Sequence, residues 1–379
     1  MAGIYIHIPF CKQACHYCDF HFSTSLKRKD EMLDALIQEI ILRKDELATE
    51  QVETIYFGGG TPSVLLVNEL QQLIDAVYQN YTVSKNPEIT LEANPDDLSE
   101  AKIAELAESP VNRLSIGIQS FFDEDLVLMN RAHNSKEAKE SLFIASRYFE
   151  NITIDLIYGI PNMTDEQWRE NLQIAFDVGV NHISSYALTV EPKTALDAFI
   201  RQGKYPDVSE ETALAHFNIL VSETEKQGFI QYEISNFGKP NFFSKHNTSY
   251  WQGKSYLGIG PSAHSFHRNM RSWNISNNPT YIKKIRLREL PSESEILSVK
   301  DRFNEYIMTG LRTIWGVSLD KVEKNFGSKY HDFLLTNAQS FIHKELLIVS
   351  HIDEKHRILK ATDKGKFLID GIASDLFMI

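Results

Sequence analysis

The sequence predicts an α/β protein: a full or partial (β/α) TIM-like barrel followed by a smaller α+β, winged-helix-like C-terminal domain. Three observations carry this. Short β-branched and aromatic runs alternate with helical patterns through the first two-thirds of the chain. The alternation stops near Lys239, where a stretch rich in Gly, Asn, Ser and aromatics shows no clear period. Helical patterns resume near Leu290 and end in what reads as a β-hairpin and a closing helix.

The strands, in order, are "GIYIHIP" from Gly3, "ETIYFGG" from Glu53, "EITLEAN" from Glu88, "RLSIGIQ" from Arg113, "ITIDLIYG" from Ile152 and "HISSYALT" from His182. "FIQYEISNF" near Phe229 reads as a seventh. Between them, "KDEMLDALIQEIILRKDEL", "VNELQQLIDAVYQNY" and "SKEAKESLFIASRYF" repeat apolar residues every three or four positions, the mark of amphipathic helices. Strand–helix repeats imply parallel strands joined by crossover helices. A barrel fits best, with a doubly wound open sheet as the alternative. The expected divisions are a barrel domain over 1–239, a connecting segment over 240–290 and a C-terminal domain over 291–379. From Lys300 onward 12 basic and 11 acidic residues nearly balance, which suits a packing role better than DNA reading.

Composition excludes several classes. With 379 residues, 42% hydrophobic and 24% charged, the chain has the make-up of a soluble globular protein. A net charge of −12 argues against a nucleic-acid partner. No apolar run approaches the ~18–20 residues that span a bilayer. "MAGIYIHIPF" lacks the basic and long apolar regions of a signal peptide. All 3 cysteines lie in one cluster, which is no disulfide framework, and a reducing cytoplasm is the expected compartment.

Those cysteines, Cys11, Cys15 and Cys18 in "FCKQACHYCDF", follow the first strand. In such a barrel the loops after the strands gather on one face and build the site. A zinc site takes four protein ligands and would have to recruit His7, His16, His21 or Asp19. A [4Fe–4S] cluster held by three thiolates keeps one iron open, and C-x3-C-x2-C suits it better than the paired C-x2-C units of zinc knuckles. The other strand ends carry "YFGGGTPS", "LEANP", "IGIQSF", "MNRAH" and "IDLIYGIP". Successive glycines let backbone N–H groups come close to a ligand.

The spacing and its position after the first strand make the chain similar to the radical S-adenosylmethionine (SAM) superfamily. Over nearly its whole length it resembles the coproporphyrinogen-dehydrogenase-like branch, whose barrel is of the partial type. The resemblance implies that Cys11, Cys15 and Cys18 hold a [4Fe–4S] cluster and that the open iron takes the amino and carboxylate groups of SAM. It implies a SAM contact at Tyr5, an amino-group cradle at Gly58, Gly59, Gly60 and Thr61, and polar SAM contacts at Glu92, Gln119, Arg131 and Asp155. Carboxylates and amides suit ribose hydroxyls, and Arg suits the SAM carboxylate.

Within that branch two departures from the decarboxylating enzymes stand out. Asp19 and Phe20 stand where those enzymes continue Gly-Cys, with an extra cysteine two residues after the third ligand, and only four residues precede Tyr5, where they have an extension. In "KHNTSYW", His246, Asn247, Tyr250 and Trp251 form an H-N-x2-Y-W motif like that of the branch's haem chaperones, where it is linked to haem binding. His264 and His267 are rival haem ligands. Lys283, Lys284, Arg286 and Arg288 could pair haem propionates but suit a solvated helix face. The resemblance thus implies SAM, a cluster, haem as cargo, haem-acceptor proteins including membrane-associated ones, and an electron donor. Oxygen-independent coproporphyrinogen III oxidase activity is the alternative.

Overall fold

The computed structural model describes residues 2–351 and 356–379. Its main feature is a sheet of 12 strands. Six of them are the predicted ones: β1 (Ala2–Ile8), β2 (Val52–Gly59), β3 (Val83–Ala93), β4 (Arg113–Gln119), β5 (Ile152–Tyr158) and β6 (His182–Ala187). They pair side by side in parallel, each joined to the next through helical segments. The sheet does not close on itself, so the barrel is partial.

Side-chain alternation along each strand sorts the residues onto two faces. Ile4, Ile6 and Ile8 of β1, Ile55 and Phe57 of β2, and Leu114, Ile116 and Ile118 of β4 are fully buried in one hydrophobic core with residues of the covering helices. Each such side chain contributes about 1.5–3 kcal/mol relative to an exposed one. The intervening residues face inward and are polar or aromatic: Tyr5 and His7, Thr54 and Tyr56, Glu88 and Glu92, Arg113 and Ser115, Thr153 and Asp155. Many barrels fill the interior with branched apolar side chains; here the inner face lines a polar chamber.

Three arrangements differ from the sequence expectation. "FIQYEISNF" forms two short strands, β7 (Ile230–Glu233) and β8 (Asn236–Gly238), and β8 pairs antiparallel with β6. Only two residues separate β7 from β8, too few for a parallel crossover, so these two also pair antiparallel. The aperiodic stretch contributes three strands, β9 (Ser255–Ile259), β10 (His264–His267) and β11 (Met270–Asn274), and a fourth, β12 (Ser292–Ile296), follows it. β9 pairs parallel with the free edge of β1, and β10 to β12 extend the sheet antiparallel. β12 therefore belongs to the large sheet although it lies beyond the expected boundary at 291.

The C-terminal unit begins with the helix Val299–Leu311. It has its own core, including Phe303, Ile307, Leu311, Leu334, Leu359 and Ile372. Its sheet has β13 (Val317–Ser318) and β14 (Leu347–His351) on either side of β15 (Arg357–Ala361), all antiparallel. That is the predicted hairpin; residues 352–355 of the predicted stretch lie outside the described residues. The unit is joined to the barrel by backbone bonds from Ile234 N–H to the Arg312 carbonyl (3.0 Å) and from Ile314 N–H to the Tyr232 carbonyl (3.1 Å). The Arg312 guanidinium donates to Glu233 (2.8 Å) and to Asp370 and lies 5.2 Å from the centre of the Trp251 ring.

Candidate cluster and cofactor site

The cysteine loop is tied to the strand ends by backbone bonds. Cys11 N–H donates to the Ser23 carbonyl (3.1 Å), Gly60 N–H to Ile8 (2.9 Å) and Thr61 N–H to Phe10 (2.7 Å). His16 N–H reaches the Met129 carbonyl (3.0 Å), and its ring Nδ1 donates to Leu128 (2.8 Å). His7 Nε2 donates to the His21 carbonyl (3.0 Å), and His21 Nε2 meets the Asn278 side chain (2.7 Å). His7 thus has both ring nitrogens bonded, while His16 and His21 each spend one on a neighbouring segment. Among the described residues no three His, Cys, Asp or Glu side chains converge closely enough to hold one metal ion. A single zinc draws its sulfurs to a point, at about 2.3 Å each. A four-iron cluster takes each thiolate on a different iron and needs them spread around it, and Cys11, Cys15 and Cys18 are half-buried on one loop, close enough for their charges to interact. Burial pushes the Cys11 thiol up to about 11, and burial also raises Cys18. Thiolates here would need a cation to hold them, which is what iron supplies.

The glycines act differently from expectation. The N–H groups of Gly59, Gly60 and Thr61 are already taken, Gly59 by Glu92 (3.2 Å) and the others by the cysteine-loop strand end. An ammonium group is a donor, so the carbonyls of this segment, not its N–H groups, are the atoms that suit it. Gly59 has φ +106°, and a Cβ on Gly60 would stand 2.6 Å from the Phe10 carbonyl oxygen. Glycine is required here because the two strand ends touch through their backbones.

Glu92 sits at the inner end of β3. It accepts from the Tyr56 hydroxyl (2.8 Å) and Gly59 N–H. Burial pushes its carboxyl up to about 7, partly offset by the Tyr56 hydrogen bond, with the charge of Asp155 adding to the rise. Asp155, on β5, is pushed up to about 6 by burial, against the pull of Arg131 and the Ser184 hydroxyl. Between the two lies a cavity of about 60 Å³ also lined by Arg113, Ser115, Tyr186 and Asn247. Arg131 stands over the chamber. It donates to Cys15 Sγ (3.3 Å), to the Asn94 side chain (2.7 Å) and to the Gly117 carbonyl (2.8 Å), while its buried Nε has no partner. Gln119 is buried at the end of β4 with φ 66°, a backbone region rare outside glycine. Tyr5 donates to His7 Nδ1 (3.2 Å) and stacks 6.1 Å from Tyr56. The expected SAM contacts therefore line one chamber under the cysteine loop. Asn94 and Tyr56 were missed, although Asn94 lies two residues after Glu92 and alternation alone puts both on the inner face.

The H-N-x2-Y-W motif forms a helix, Lys245–Trp251, that plugs the foot of the chamber. Its first N–H groups donate to Glu88 (3.1 and 3.0 Å). His246 is 1% exposed, with Nδ1 bonded to Thr54 (2.7 Å) and Nε2 to Tyr250 (2.6 Å). Its ring stacks 4.9 Å from Tyr56, and burial holds its pKa down near 3. Both ring nitrogens are hydrogen-bonded, and the imidazole is packed and neutral. Asn247 lines the small cavity, Tyr250 packs 4.5 Å from Tyr256, and Trp251 meets Arg312. His264 is exposed beside Trp273, 6.2 Å between rings. Lys283, Lys284 and Arg286 lie in the last turn of the helix Asn278–Arg286, where Arg286 pairs with Glu31 (2.8 Å).

Among known proteins, the sequence profile of the Radical SAM superfamily matches residues 5–175. Proteins named heme chaperone HemW are similar along the whole chain. The one from Bacillus subtilis is 36% identical over 372 residues, covering 97% of each chain. Those from Lactococcus lactis (34%, 97% of each chain) and Buchnera aphidicola (31%, 98% of this chain and 96% of the relative) agree. The solved structure of coproporphyrinogen III oxidase (HemN) from Escherichia coli superposes with a TM-score of 0.85 over 100% of this chain and 90% of that one, at 23% identity. The fold is thus that of the oxidase, while the sequence follows the chaperones from end to end, and the chain belongs to the HemW family of the Radical SAM superfamily.

Proposed function

We propose that this protein is a haem chaperone that carries a [4Fe–4S] cluster, binds SAM beneath it, and receives haem and passes it to acceptor proteins. The observation that carries this reading is the end-to-end likeness to relatives named heme chaperone HemW. Cys11, Cys15 and Cys18 would hold the cluster and leave one of its irons to SAM. When bound, that cluster can supply the electron that breaks a carbon–sulfur bond of SAM. Arg131, with its unpartnered Nε, would meet the SAM carboxylate; the carbonyls of Gly58 to Gly60 would accept from its ammonium. Glu92, Asp155 and Gln119 would bind the ribose hydroxyls, with Tyr5 packing beside them. Each added charge-assisted contact is worth about 1.5–3 kcal/mol.

The acceptors, membrane-associated ones included, and the electron donor follow from the chaperone reading. No helix among the described residues is long and apolar enough to cross a membrane. Three free thiols suit a reducing compartment such as the cytoplasm. The likeness in fold to coproporphyrinogen III oxidase favours a second reading, oxidative decarboxylation of that porphyrinogen, against which stand Asp19 and Phe20 in place of the further cysteine. The reconstituted protein should bind haem and transfer it to an apo-haemoprotein, and should leave coproporphyrinogen III unchanged in the presence of SAM and a reductant. Turnover of the porphyrinogen without haem binding would reverse the assignment.

A further inference from the structure

All three cysteines lie in the connection between β1 and the helix Lys29–Leu42, residues 9–28, which contains no helix and only an isolated bridge from Phe10 to Ser23. Connections beyond about 12–15 residues without structure of their own are uncommon in compact domains. The shape of this one has to be supplied from outside. For the stretch Gln13–His16 it comes chiefly from one place, the turn that closes the short helix Asp123–Leu128.

Asn130 follows that helix with φ 55°, the left-handed region that Gly and Asn tolerate best. Asn130 N–H returns to the Val127 carbonyl (3.1 Å) and Arg131 N–H to Leu126 (2.9 Å), which ends the helix in a Schellman turn. A helix end leaves its last carbonyls without donors of its own. Here the cysteine loop supplies them. His16 Nδ1 donates to Leu128 (2.8 Å), His16 N–H to Met129 (3.0 Å) and Gln13 Nε2 to the Asn130 carbonyl (3.0 Å). The Asn130 side chain completes the match: Oδ1 accepts from Gln13 Nε2 (2.9 Å) and Nδ2 donates to the Ala14 carbonyl (2.7 Å). Cys15 stands between the two clamped neighbours, Ala14 and His16, and the next residue of the turn, Arg131, donates to its Sγ. On the outer side of the loop Leu196 N–H donates to the His16 carbonyl (2.8 Å), and the Phe199 ring stands nearly perpendicular to the imidazole, 4.9 Å between centres.

We propose that Asn130 and His16 are positioning residues for the cluster: by docking the cysteine loop onto the end of the helix Asp123–Leu128 they register the Cys15 thiolate against Arg131. The proposal rests on the cluster reading given above. One turn then sets both the thiolate that would hold an iron and the guanidinium that would meet SAM, so neither moves without the other. Asn130 and His16 touch neither group; they act through the backbone of Gln13–His16. Cys11 is held separately, through its N–H to the Ser23 carbonyl. Loosening the turn therefore disturbs one corner of the cluster and leaves the first ligand in place.

The test uses the full-length protein, with and without reconstituted cluster. Asn130→Gly keeps the left-handed turn and removes both side-chain bonds, and His16→Ala removes the imidazole bond. Each should release iron to a ferrous chelator about three- to tenfold faster than wild type, the worth of one or two ordinary hydrogen bonds. Each should also change the electron paramagnetic resonance spectrum of the dithionite-reduced cluster, which a loss of general stability would not do. His16→Asn, whose amide can donate from the position of Nδ1, should return both readings to near wild type. In the cluster-free protein trypsin should cut after Lys12, 46% exposed, faster in Asn130→Gly and His16→Ala, with far-ultraviolet circular dichroism unchanged. If both variants match wild type in iron release, spectrum and cleavage, or if His16→Asn is as impaired as His16→Ala, the turn does not position the loop and the cluster reading stands. If wild type itself takes up no four-iron cluster, the cluster reading falls and the clamp with it.

Discussion

Glu92 and His246 are two buried titratable groups that pull stability in opposite directions with pH. Glu92 has a folded-state pKa raised from 4.5 to about 7. Its contribution is therefore full below pH 4.5 and is lost as pH rises toward 7. His246 is lowered from 6.5 to about 3, so its contribution is full above pH 6.5 and is lost as pH falls toward 3. Between pH 4.5 and 6.5 the two slopes oppose each other. Denaturant unfolding of wild type and Glu92→Gln at a series of pH values should show the stability difference, wild type minus variant, falling with pH at no more than about 1.4 kcal/mol per unit. His246→Phe should give a difference that rises with pH over its window. A flat difference for either variant would mean that the group is not held in its neutral form. Glu92→Gln should also cut SAM affinity roughly tenfold or more while leaving the cluster spectrum intact, since the amide keeps the size but offers one acceptor oxygen where the carboxyl offers one each to Tyr56 and Gly59.

At the scale of elements, the joints matter more than the strands. The end of β2 runs under the cysteine loop through Gly59 and Gly60, where a side chain has nowhere to go. Gly60→Ala should displace the Ile8–Phe10 segment and lower cluster occupancy after reconstitution, with far-ultraviolet circular dichroism unchanged; a full complement of iron in that variant would show that the contact is slack. A second joint fastens the helix Lys29–Leu42 to the strands added after residue 254. Glu39, fully buried, accepts from Gly260 N–H (2.8 Å), Asn274 (2.7 Å), the Tyr281 hydroxyl (2.5 Å) and Arg43 (3.1 Å). Glu39→Ala leaves Arg43, 4% exposed, with a buried charge partly uncompensated and three donors unpaired. The expected cost is about 3–5 kcal/mol by chemical denaturation. A loss below about 1 kcal/mol would show that the network relaxes onto Glu46, the other carboxylate partner of Arg43.

For the whole molecule, Arg312 is the rivet between barrel, motif helix and C-terminal unit. It pairs with Glu233, which is 1% exposed, so its removal strands a buried carboxylate as well as a stacking contact on Trp251. Arg312→Ala should split calorimetric unfolding into two transitions, the C-terminal unit melting first. One sharp transition at a uniformly lowered temperature would mean that the backbone pairing of Ile234 and Ile314 alone couples the two units.

What the sequence by itself determined is whatever a local period can carry. Alternation in "GIYIHI" assigned Ile4, Ile6 and Ile8 to one face and Tyr5 and His7 to the other without any knowledge of the partner strands. The repeat of strand and helix implied parallel order, and three cysteines in eight positions pointed to one loop. The tertiary structure alone decided what depends on pairing between distant segments. "SYLGI" does not say which strand edge it will join, yet β9 completes the sheet at β1, some 250 residues earlier. The same long-range closure carries His246 into the chamber beside Gly3 and Thr54, where both its nitrogens find hydrogen-bond partners. A motif names residues that belong together; only the packed barrel shows whether they face a ligand or the core, because burial and hydrogen-bond partners come from segments that the local sequence does not contain.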